Sequence, residues 1–127
     1  MKTNLISGTI LVLVSAAMLT LFSFTSTGSI LGKWETKPSD KGNVTRVIFK
    51  PDNSFEAYIN KKPFASGTYT VEDDVLSFVD NGCNGAKGVY KIIFFASTDS
   101  MRFEHITDTC TNRKNGMARL ILGRIKK

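Results

Sequence analysis

The residues on which most enzymes depend are scarce in this chain. One histidine, one tryptophan, two cysteines and three prolines are spread over 127 residues. With His105 as the sole imidazole, a Ser-His-Asp relay or a Cys-His pair has only one place to form, and no nucleophile motif accompanies it. The same scarcity denies zinc a ligand set. Cys83 and Cys110 lack the Cys-x-x-Cys spacing of a redox pair. Gly82 and Gly85 sit in the loop that holds Cys83 rather than before a helix, so no phosphate-binding loop is present. Turn formation accounts for Asp73-Asp74 and Asp80-Asn81 without calcium or paired carboxylates. These absences predict a protein that is not an enzyme and has no cofactor or metal.

Charge is missing from one long stretch. Leu5 to Phe24 carries none and follows Lys2. Its length, close to the roughly 20 residues that span a bilayer, reads as a signal peptide or, uncleaved, as an N-terminal anchor. Residues 1–29 are therefore assigned to the leader or anchor and 30–127 to one folded domain. The expected location is secreted or periplasmic, or membrane-anchored facing the extracytoplasmic side, with membrane contact only through that segment. The net charge of +6 is moderate. Its basic C-terminal run, Arg113 to Lys127, has no aromatic residue on which bases could stack, so nucleic acid is not an expected partner.

Strand signals are abundant. After Gly32-Lys33-Trp34, alternation of apolar and polar residues predicts strands over 44–50, 54–60, 65–71, 75–79, 88–95, 100–106 and 117–125, joined by turns such as Pro51-Asp52-Asn53 and Glu72-Asp73-Asp74. Parity points Tyr69, Leu76, Phe78, Tyr90, Ile92, Phe94, Met101, Phe103 and His105 inward, and His105 reads as a core histidine. No amphipathic helix is expected between the strands, and residues 107–116 read as a polar loop. About eight consecutive strands predict an all-β, antiparallel, up-and-down barrel.

Closure follows from the two ends of that series. Trp34 stands on the first strand and Arg124 near the end of the last, so in a closed barrel the indole plugs the floor and the guanidinium lies across it. Gly32 allows close backbone approach there. In such a meander the loops holding Cys83 and Cys110 share the opposite end, and an exported chain should oxidise them to a disulfide.

Gly32-x-Trp34, the strand series and Arg124 together resemble the lipocalin-like branch of the calycins. Phe49-Lys-Pro-Asp-Asn-Ser-Phe55, Gly67-Thr-Tyr69, Leu76-Ser-Phe78 and Asp108-Thr-Cys110 resemble small secreted bacterial lipocalin-like domains. The resemblance implies a barrel whose mouth admits a small hydrophobic ligand, with Gly32, Trp34 and Arg124 as structural floor. Tyr69, Tyr90, Phe94, Phe103 and His105 are then the candidate ligand contacts. The alternative is a secreted protein-binding module, such as a protease inhibitor, that uses its loops.

Overall fold

The computed structural model describes residues 29–126. The expected leader or anchor lies, apart from Ser29, outside the described residues. Eight strands follow in order: β1 (Gly32–Glu35), β2 (Thr45–Phe49), β3 (Ser54–Ile59), β4 (Lys62–Glu72), β5 (Val75–Asp80), β6 (Gly88–Phe95), β7 (Ser100–Thr107) and β8 (Ile121–Arg124). Each is antiparallel to the next, and β8 pairs back to β1, so the sheet is a closed barrel compatible with a calycin-like fold. No helix among the described residues is long and apolar enough to cross a membrane.

Alternation decides which side of the sheet faces in. Val47 and Phe49, Phe55 and Ala57, Leu76 and Phe78, and Met101 and Phe103 are buried pairs two residues apart. Tyr69, Tyr90, Ile92, Leu122 and Trp34 complete a continuous core. Its rings touch from strand to strand: Phe49 meets Tyr69 edge-on at 5.1 Å, Phe55 meets Phe78 at 5.7 Å, and Phe78 meets Tyr90 at 6.1 Å between centroids. The interior is thus occupied by side chains, as expected of an eight-stranded barrel of modest girth.

Two expectations need correcting. Residues 107–116 are not simply a loop, and the last strand does not begin at Met117. A short helix, α1 (Thr111–Arg119), fills that space and β8 starts only at Ile121. Met117, in the last turn of the helix, and Leu120, the extended residue that ends it, both pack against the core. His105 is exposed rather than a core residue. It shares a face with Tyr90, ring centroids 5.9 Å apart, but stands at the open end of β7 where the barrel no longer covers it.

The register slips twice, and both irregularities lie at the same end. Ala57 pairs with Ala65 and Tyr58 with Pro63, leaving Phe64 without an opposite number. Val89 pairs with Thr107 and Tyr90 with His105, leaving Ile106 in the same position. Each bulge turns its additional apolar residue to solvent, Phe64 at 65% and Ile106 at 49% exposure. Past Ser66, toward its start, β4 pairs only with β3, so a short free edge remains there. Lys62, Pro63 and the bulge guard it against pairing with another chain.

Gly67 marks the tightest approach between strands. A Cβ there would lie 1.8 Å from the Val79 carbonyl oxygen, which is backbone and cannot swing away. Gly67→Ala is therefore expected to destabilise by about 3 kcal/mol, the upper part of the usual overpacking range. A urea titration followed by Trp34 emission measures it; a midpoint unchanged from the parent protein would contradict the close packing of β4 on β5.

Candidate functional site

The barrel has two ends of different chemistry. Connections 50–53, 73–74 and 96–99 lie with the start of β1 and the end of β8; connections 36–44, 60–61, 81–87 and 108–120 lie at the other end, the mouth.

The floor is closed as the sequence indicates. Trp34 and Arg124 are register partners, and the guanidinium carbon lies 4.3 Å from the indole centroid. The indole is fully buried, and its N–H donates to the Ile30 carbonyl at 2.9 Å. Arg124 also donates to the carbonyls of Ser29, Leu31 and Thr98, tying the chain that enters the barrel to the β6–β7 turn. Gly32 takes φ of +115°, in the left-handed half of the map that glycine tolerates best.

The mouth is closed as well, by the expected disulfide together with Asp108 and Arg113, which the expected site lacked. Cys83 and Cys110 form the expected disulfide, with Cα atoms 5.7 Å apart, and Cys110 is the residue that precedes α1. The bond fits an oxidising environment. Beneath it, Asp108 accepts from the Cys110 amide at 2.9 Å, from the Tyr90 hydroxyl at 2.5 Å and from Arg113 through both carboxylate oxygens at 2.8 Å. Arg113 also donates to the Ala86 carbonyl at 2.9 Å, lies 3.4 Å from Asp80, and stacks 5.0 Å above the Phe78 ring. An arginine over an aromatic ring therefore stoppers each end of the barrel.

Electrostatics within this cluster favour the charged pair. Burial pushes the Asp108 carboxyl up, but hydrogen bonds from Arg113, Tyr90 and the Cys110 amide outweigh it and hold the group at about 2. Burial and then the Asp108 carboxylate raise the Tyr90 phenol above its ordinary value, so it remains a donor. Burial also raises the Tyr69 phenol.

The candidate ligand contacts are accordingly separated in role. Tyr69 and Tyr90 face inward, but their hydroxyls are engaged by the Lys50 carbonyl and by Asp108. Phe103 is a core residue, Phe94 packs against the core, and His105 is at the rim. Asp108 and Arg113 were missing from the expected site, and the signal for them was local: the sequence Asp108-x-Cys110-x-x-Arg113 puts a carboxylate, a bridging sulfur and a guanidinium on one turn. No group of three or more His, Cys, Asp or Glu residues that could hold a metal occurs among the described residues.

What the mouth offers is its outside. Lys37, Lys41, Lys61, Lys62, Lys87, Lys114 and Arg119 are all exposed there, and none makes an ion pair among the described residues. Of the exposed acids in and beside the connections, Asp40 stands at the mouth beside Lys41, while Asp52, Glu72 and Asp73 lie at the floor, so the mouth keeps an excess of positive charge. The cationic mouth is also where Phe64 and Ile106 are turned outward. Comparisons with known protein families, with curated proteins and with solved structures find no match to this chain.

Proposed function

We propose that the domain is an extracytoplasmic, lipocalin-like protein-binding module in which the barrel is the scaffold and the mouth end recognises an acidic face of a partner protein. The observation that carries the reading is the coincidence of both β-bulges, each presenting an apolar side chain, with a rim of unpaired cations. Apolar residues turned outward inside a charged ring are what a protein partner covers, and charge of one sign guides its approach. A small hydrophobic ligand in the barrel would have to displace Tyr90, Ile92 or Met101, each no more than 1% exposed, and so has less in its favour.

A photo-crosslinking phenylalanine analogue at position 64 tests the reading in the exported fraction. A discrete adduct is expected from position 64 and none from position 95 at the floor. Reversing charge with Lys61→Glu and Lys62→Glu together should slow its formation about tenfold at low salt, and added salt should do the same. Equal labelling from both positions, or indifference to the charge reversal, would count decisively against a cationic recognition face.

A further inference from the structure

Beside the β3–β4 hairpin, the outer surface of the barrel is concave. The outward residues of β1, β2 and β3 line an open groove of about 560 Å³: Glu35, Arg46, Ile48 and Tyr58, with Val44 and Lys61 at its mouth-side edge. This wall is built rather than incidental. The Asn60 amide donates to the Val44 carbonyl at 2.9 Å, the Val44 amide donates to Asn60 Oδ1 at 2.9 Å, and Asn60 Nδ2 donates to Asn43 Oδ1 at 2.8 Å. The β1–β2 connection and the β3–β4 turn are thereby fastened together across the barrel's edge.

Polar groups on the groove floor already satisfy one another. Arg46 donates through Nε and Nη2 to a single oxygen of Glu35, at 3.1 and 2.8 Å. The Tyr58 hydroxyl donates to Glu56 at 2.7 Å, and Lys50 holds the other Glu56 oxygen at 2.7 Å. What is left for a visitor is apolar surface from Val44, Ile48 and the Tyr58 ring, beside the unpaired ammonium of Lys61. Lys41 and Lys62 stand in the flanking connection and at the start of β4.

We infer that this groove seats an extended acidic peptide segment of the partner protein, an apolar side chain lying on Ile48 and Tyr58 while flanking carboxylates meet Lys61 and its neighbours. The inference rests on the protein-binding reading and adds to it the form in which the partner arrives. Charge complementarity selects the acidic segment. Glu35 is already held by Arg46, and Glu56 by Lys50 and Tyr58, so the charges left for a visitor are those of Lys61, Lys41 and Lys62. Nucleic acid suits the groove poorly, because Tyr58 is a lone stacking surface.

The test uses the full exported chain and fluorescence polarisation with labelled peptides of alternating glutamate and leucine, of glutamate and glycine, and of lysine and leucine. The glutamate–leucine peptide should bind saturably. Removing the leucines, or introducing Ile48→Ser, should weaken binding at least about tenfold, and the lysine–leucine peptide should not bind. Unchanged Trp34 emission certifies that the variant is folded. The bound peptide should also suppress the adduct from position 64. If the peptide fails to bind while that adduct forms and remains charge-sensitive, the groove is not the seat, though the mouth reading stands. If neither occurs, both fall. Equal binding of a single-stranded oligonucleotide, with no dependence on Ile48, would replace the peptide seat with a general polyanion surface.

Discussion

Replacing Trp34 with alanine should cost the barrel about 3–5 kcal/mol, out of the roughly 5–15 kcal/mol that holds a domain of this size together. The indole is completely buried, so its loss leaves a hole that the rigid sheet cannot collapse to fill. It also removes the ring beneath Arg124 and the donor that holds the Ile30 carbonyl, so floor closure and the path of the entering chain are lost in one change. Trp34→Phe separates these contributions. A phenyl ring keeps a face for the guanidinium but not the N–H, and its cost should be nearer 1–2 kcal/mol, set by the unpaired carbonyl and the lost volume. Both variants lack the only tryptophan, so urea denaturation is followed by far-ultraviolet circular dichroism. A loss below about 1 kcal/mol for the alanine variant would mean that the floor is not a closure point of the fold.

That floor was legible from residue order alone. A Gly-x-Trp at the start of a strand series and an arginine at its end can meet only if the sheet closes, and they do meet as register partners. The disulfide was legible for the same topological reason, since alternate loops of a meander share an end. Helix α1 was not. It has no acidic residue in its first turn, no side-chain cap and Gly116 inside it, so nothing local announces a helix. A helix this short is held by what it touches: the Cys110 bridge before it, Arg113 locked to Asp108 within it, and Met117 and Leu120 against the core. The rim was hidden for a related reason. A bulge inserts one residue without breaking the composition of a strand, so Ile106 reads as an ordinary strand residue until the register is known, while Pro63 makes Phe64 read as part of a turn although β4 begins at Lys62. His105 was misplaced because alternation gives the face of a residue but not its height along the barrel.

The dependence of α1 on tertiary contacts makes Asp108→Asn the sharpest test of the mouth. The substitution keeps the shape of the side chain and removes its charge, leaving the Arg113 guanidinium, 8% exposed, with Asp80 at 3.4 Å as its remaining ion partner. Breaking a buried pair typically costs about 3–5 kcal/mol, more than the pair contributes relative to apolar replacements, because one charge stays buried. Here Asp80 compensates part of it, so a loss near the lower end, about 3 kcal/mol, is expected. Pairing Asp108→Asn with Arg113→Met should therefore recover part of the loss. Acid supplies an independent signature. In the folded protein the carboxyl titrates at about 2, against 3.8 unperturbed, so its contribution is fully present above pH ~4 and disappears as pH falls toward ~2. The parent protein should lose stability through that window, and the asparagine variant should lose distinctly less. Hydrogen exchange locates the effect: the Lys114 amide, bonded to the Cys110 carbonyl at 2.9 Å, should exchange faster in the variant while the Ile92 amide in the barrel wall keeps relatively more protection. A uniform loss of protection over both sites would show the lid to be one cooperative unit with the barrel. A negligible loss in stability with an unaltered acid profile would mean that the disulfide and the Met117 contacts hold α1 without the ion pair.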